Sequence, residues 1–205
     1  MRKSLAIGCL VGAATLVGCA EDSVDHDAAA STSATAPAGS APAIKVSVPP
    51  APTQTGSTQV RLDPCVSVGD ELVSRAGFDP ATRERYSAES VSMPFTRIGC
   101  QFWRETVVDG EQFPTGIVAV TSSDLTLDDI RKNPGHSVFD ANPVAGREAV
   151  LYRTPENSGA CSASVRSADG TFTVSLIAYP GPVPTPSACD QIRVVAETFG
   201  ESLGT

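Results

Sequence analysis

The chain has 205 residues, a formal net charge of −8 and 41% hydrophobic residues, of which few are aromatic. That acidic balance argues against electrostatic coating of nucleic acid or anionic lipid. Six cysteines and two histidines hold most of what the composition offers to special chemistry, and their positions decide how far it goes.

The first element is a leader. Arg2 and Lys3 precede an uncharged apolar run from Leu5 to Leu16, the layout of an export signal. As a helix this run spans about 18 Å, against about 30 Å of hydrocarbon, so cleavage is expected rather than a membrane span. Cys9 lies too close to the basic residues to follow an apolar region. Cys19 closes the run as Leu16-Val17-Gly18-Cys19. These four residues resemble the lipobox of bacterial lipoproteins. The resemblance implies a signal peptide over 1–18, cleavage before Cys19 and lipidation of its thiol, palmitate included. Two acyl chains give lasting attachment where one is marginal, at about 0.8 kcal/mol per buried methylene. The expected location is the extracytoplasmic face of a cell membrane.

Residues 19–58 carry Ala, Ser, Thr and Pro in bulk and no aromatic residue. Such a segment buries too little apolar surface to offset its ordering entropy and is expected to be a disordered tether. As a coil it spans roughly 35 Å.

Residues 59–205 are expected to form a single globular domain. Cys65 precedes a helix with Ser67 as N-cap, Asp70 and Glu71 in its first turn, and Gly77 as its stop. Asp79-Pro80 begins a further helical turn through Arg85. Cys100 lies in a strand over 99–107, with Cys100 and Phe102 inward and Trp103 on the opposite side. GIVAVT, residues 116–121, is a β-branched strand. Thr126 caps a short helix over Leu127 to Lys132, and Asn133-Pro134-Gly135 stops it. Residues 148–153 form a strand. Cys161, Ala163 and Val165 then alternate with polar residues up to Asp169-Gly170, a hairpin signal, and Phe172, Val174 and Leu176 alternate on the return strand. Ser187 caps a last helix whose inward face includes Cys189, Ile192, Val195, Ala196 and Phe199. The fold class is therefore α+β: an antiparallel sheet of about five strands, N- and C-terminal helices on one face, and two disulfides.

Four domain cysteines in an exported chain allow three disulfide connectivities. Packing the last helix on the sheet favours Cys161–Cys189, and the same device at the other end favours Cys65–Cys100. Zinc ligation would want close pairs, whereas these cysteines stand 28 to 61 residues apart. No metal and no cofactor is expected.

Asp63-Pro64-Cys65, Cys100 with Trp103, the Val144-Ala145-Gly146-Arg147-Glu148-Ala149 stretch, Cys161 in a strand and Cys189 opening the last helix together resemble the actinobacterial lipoproteins carrying domain of unknown function 3558. The resemblance covers about 59–205. It implies a surface lipoprotein without an established biochemical role, so no catalytic residue carries over.

The residues themselves offer little catalysis. His136 with Asp140 and a distant serine would make a triad, but no Gly-x-Ser-x-Gly elbow is present. Asp124, Asp128 and Asp129 cluster, and helix capping accounts for the last two. The candidate binding residues are Trp103, as an aromatic anchor, His136, in its loop, and Arg147, as an anion contact beside Gly146. The expected function is a non-enzymatic binding or accessory module of the cell envelope. Its partners would be the membrane, through Cys19, and a protein or glycan, with no nucleic acid. The alternative is an envelope hydrolase with a carboxylate or serine site.

Overall fold

The computed structural model describes residues 42–54, 58–87, 95–155 and 159–204. The expected signal peptide, Cys19 and the tether up to residue 41 lie outside the described residues. Those described belong to one compact unit that begins at Ser40.

The unit is built on one antiparallel sheet of seven strands, not about five. They are β1 (Glu84–Ser87), β2 (Arg97–Val108), β3 (Glu111–Ser123), β4 (Ser137–Asp140), β5 (Ala149–Arg153), β6 (Ala160–Ser167) and β7 (Gly170–Ala178), in the spatial order β1-β2-β3-β7-β6-β5-β4. The two strands unforeseen in the sequence are the edges. β1 falls where a helical turn was expected: Pro80–Thr82 makes one 3-10 turn, and the chain then extends to pair Arg85 with Cys100. β4 lies in the loop after Pro134, too short and irregular to show alternation; it pairs Val138 with Tyr152 and shifts register before Asp140.

β2 and β3 are long because a tight turn joins them. Asp109 and Gly110 both take positive φ, 54° and 86°, which suits the twist of a two-residue hairpin. The β6–β7 turn sits one residue earlier than expected: Ser167 pairs with Gly170, and Asp169 lies in the turn. The Asp169 carboxylate accepts the Arg61 and Leu62 amides at 2.8 and 2.9 Å and fastens the N-terminal segment to this hairpin.

Among the described residues four α-helices accompany the sheet. α1 (Pro64–Ser67) is capped by Asp63, whose carboxylate accepts from the Cys65 amide. α2 (Asp70–Arg75) starts after Gly69, not after the expected cap Ser67. α3 (Leu127–Lys132) has Thr126 and Asp129 in a reciprocal capping box. α4 (Ala188–Gly200) is capped by Ser187.

Alternation along the strands divides the sheet into two faces. On the inner face Cys100, Phe102, Val118, Val120, Ala163, Leu176 and their neighbours form one buried cluster with Val73 of α2 and Ile192, Ala196 and Phe199 of α4. Each such large side chain contributes about 1.5–3 kcal/mol through burial. Two disulfides fasten the helices to this face: Cys65–Cys100 and Cys161–Cys189, with Cα separations of 5.0 and 5.1 Å. This is the pairing favoured by helix-on-sheet packing. The helices are not confined to one face, however. α3 lies on the outer face, where Leu127 and Ile130 bury against Val150 and Tyr152.

Residues 42–54, within the stretch expected as tether, run along the body. The Asp70 amide donates to the Ala43 carbonyl, Arg85 donates to the Pro49 carbonyl, and the Gln54 side chain exchanges two 2.8 Å hydrogen bonds with the Val60 backbone. Pro49 has no backbone donor, but its carbonyl is left for Arg85 to reach.

Candidate functional site

The outer face is where the sheet is left open. α3 covers one end of it, and a hollow of about 270 Å³ lies beyond. Ile117, Ala119, Ala160 and Ile177 make an aliphatic floor, because strand pairing sets Ile117 opposite Ile177 and Ala160 opposite Ile177 on the far side. Tyr86, Gln101, Thr154, Ser162 and Ser175 supply polar groups. None of these lining residues is charged. The Ser162 and Ser175 hydroxyls bond to each other at 2.9 Å, and Gln101 Nε2 donates to Glu84 Oε2 at 2.7 Å. Deeper in, Ser164 Oγ and Thr173 Oγ1 meet at 2.8 Å, fully buried. Polar groups paired in this way cost little to bury, and they hold the floor rigid.

Trp103 belongs to this face and is half-buried. Its ring stacks on Tyr179 with centroids 6.1 Å apart. Its backbone amide donates to Thr82 Oγ1 at 2.8 Å.

His136 lies at the α3 end of the same face. Its Nδ1 stands 2.9 Å from the Ile130 carbonyl, which makes Nδ1 the donor. Nε2 is then left facing Asn133 Nδ2 at 3.4 Å, and the ring packs on Tyr152 with centroids 4.2 Å apart. The triad geometry is absent from these contacts, since Asp140 binds Arg193 at 2.6 Å and the Asn142 amide at 2.9 Å.

Arg147 lines neither the hollow nor the space beside α3. Val144 and Arg147 bond to each other across Ala145 and Gly146, both at positive φ, so VAGR is a tight turn. From it Arg147 Nη2 donates to the carbonyls of Leu203 and Gly204, at 3.2 and 2.9 Å. It caps the C-terminal segment. The other motif residues are equally structural: Asp63 caps α1 and accepts both contacts of Arg85 Nη1, at 2.7 and 2.8 Å.

The carboxylates are committed in the same sense. Asp129 is held below the ordinary carboxylate range by the Thr126 hydroxyl and amide. Asp140 is held low by the Asn142 amide and by Arg193, and Glu148 by Arg131 and Arg166. Asp128 pairs with Arg131, and Asp124 accepts the Thr96 amide at 2.8 Å. A general acid needs a carboxyl raised toward neutrality, and every carboxyl shift resolved among the described residues runs the other way. Among the described residues no group of three His, Cys, Asp or Glu is gathered as a metal would require, and no helix is long and apolar enough to cross a membrane.

The three candidate residues thus fall at three places, two of them on the outer face. The hollow between them escaped sequence reasoning. Its signal is Leu176-Ile177 in β7: consecutive aliphatics in an alternating strand place one on each side, so the outer side is not purely solvated.

The model of a family described as protein of unknown function (DUF3558) matches residues 14–201. No curated protein and no solved structure matches.

Proposed function

We infer that this chain, which belongs to the DUF3558 family, is a lipid-anchored binding module on the extracytoplasmic face of a membrane, taking an uncharged protein or glycan partner across its open sheet face. The observation that carries the binding half is the hollow over Ile117, Ala119 and Ile177. Aliphatic side chains beside hydroxyls, an amide and the Trp103–Tyr179 pair are a surface for recognition, with no carboxylate, imidazole or amine among its lining residues. The anchor is supported by the Leu16-Val17-Gly18-Cys19 sequence. Two disulfides suit an oxidising compartment.

The binding half is tested with a photo-crosslinking residue placed at position 117 of the chain in its own envelope, and, as control, at Phe139 on the other side of the sheet. A reproducible adduct from position 117 alone is expected. Absence of any adduct there, or the same adducts from both positions, contradicts the reading. The anchor is tested by the intact mass of the membrane-extracted protein, which should begin at a diacylglyceryl-modified Cys19. An unmodified Cys19 removes it.

A further inference from the structure

We propose that the cavity beside α3 binds a small soluble anion with an apolar body, its charged head held by Arg97 and Lys132. This rests on neither the anchor nor the open hollow.

The cavity measures about 360 Å³ and is larger than the hollow. Phe95, Leu125, Ile130 and Pro134 make its apolar wall. Arg97, Lys132, His136 and Asn133 add the polar side, and Asp129 is its one carboxylate. Arg97 and Lys132 bring two positive charges to the lining against the one negative charge of Asp129, in a chain whose formal net charge is −8.

Arg97 is the residue that asks for a ligand. Most arginines here have a carboxylate: Arg61 has Asp169, Arg83 has Asp70, Arg85 has Asp63 and Arg193 has Asp140. Arg97 has none among the described residues. It is half-buried, and among the described residues its buried Nε has no hydrogen-bond partner and its one contact of this kind is the Phe95 ring, with the ring centroid 5.2 Å from the guanidinium carbon. A half-buried guanidinium on an aromatic face, its buried Nε without a partner among the described residues, is suited to an oxyanion. Lys132 adds a second cation with no ion pair among the described residues. Asp129 offsets Lys132 only in part: Lys132 helps to hold its carboxyl low, but the carboxylate's hydrogen bonds go to the Thr126 hydroxyl and amide at the helix start. The loop wall is already satisfied: Asn133 Oδ1 accepts the Gly135 amide at 2.9 Å, and His136 holds the Ile130 carbonyl. The wall is thereby set in shape without using Arg97.

The probe is phenyl phosphate, with benzyl alcohol as its uncharged counterpart, titrated by calorimetry and saturation-transfer NMR into the purified full-length chain at low salt. Saturable binding of phenyl phosphate is expected, with benzyl alcohol at least about tenfold weaker, since a charge-assisted contact is worth about that factor or more. Arg97→Gln should weaken phenyl phosphate by about tenfold, Arg97→Lys by less, and added salt should weaken it too. Lys132→Glu, at an exposed position, should abolish binding even if Arg97→Gln folds poorly. Equal binding of both probes, no binding of phenyl phosphate, or an unchanged Lys132→Glu protein overturns the proposal. Displacement of the probe by phosphatidylglycerol vesicles, and by no soluble aryl or alkyl phosphate, would overturn it in favour of a lipid head group.

Discussion

Arg83 is the position where one substitution should do most damage. Its side chain is wholly buried. Nη1 donates to the Cys65 carbonyl at 3.1 Å, and Nη2 donates to the Val68 carbonyl at 2.9 Å and to Asp70 Oδ1 at 2.7 Å. The guanidinium also lies over the Phe102 ring, 4.9 Å from its centroid. It therefore joins α1, the start of α2 and the inner face of β2. Removing it strands two carbonyls and a carboxylate that have little access to water. Removing one partner of a buried pair costs about 3–5 kcal/mol, and lost contact with the Phe102 ring adds to that. Arg83→Ala should thus lose about 4 kcal/mol, much of a stability of about 5–15 kcal/mol. Arg83→Met keeps the stem packing and should lose about 3 kcal/mol, which isolates the polar share. The assay is urea unfolding followed by Trp103 fluorescence with both disulfides intact, reading the midpoint at constant slope. A cycle with Asp70→Asn should show a coupling of about 1–3 kcal/mol. A loss below about 1 kcal/mol in Arg83→Ala would refute the reasoning, since the three contacts would then have been replaced by solvent at little cost.

Other consequences can be checked in the same unfolding assay. Burial pushes the Asp70 and Asp169 carboxyls up, yet hydrogen bonds from Arg83 and the Lys45 amide, and from the Leu62 and Arg61 amides, bring both below their ordinary values. With Asp129, Asp140 and Glu148 also held low, stability should be complete above about pH 4–5 and fall as pH drops through the lowered values; a urea midpoint as high at pH 3 as at pH 7 would contradict this. Replacing both Cys161 and Cys189 by Ala should cost about 3.5 kcal/mol on the chain-entropy account of a 28-residue loop, and an unchanged midpoint would refute that estimate. Gly99→Ala would drive a methyl group into the Val120 carbonyl of the neighbouring strand and should lose about 1–3 kcal/mol or more. Asp169→Asn should lower the midpoint and raise proteolysis near residues 58–62, because the Arg61 and Leu62 amides lose a charged acceptor; unchanged proteolysis there would separate that segment from the hairpin.

What could be read from residues was whatever local spacing encodes. Cys161, Ala163 and Val165 alternating before a turn, and Ser187 opening an amphipathic helix, are short-range patterns, and both the elements and the disulfide between them follow. The edge strands were hidden because pairing, not pattern, makes them. β1 is four residues after a proline turn, and its register comes from β2. The role of Asp169 was half legible: its place in a turn is local chemistry, while its hold on Arg61 acts over 108 residues. The same limit applies to the site. Trp103 was visible as the single tryptophan, but Tyr179 beneath it, and the meeting of Gln101, Ser162 and Ser175, depend on which strands are neighbours. Arg97 gave no signal at all, because a charge unpaired among the described residues is defined by what does not approach it.

Hydroxyl-radical footprinting of the whole protein, first in its own membrane and then purified, tests the open face most directly. A partner seated on that face predicts that Trp103 and Tyr86 are labelled less in the membrane than after purification, while Phe139 on the other side is labelled alike in both. Equal labelling of Trp103 and Tyr86 in the two states would mean that nothing occupies the face where the protein works.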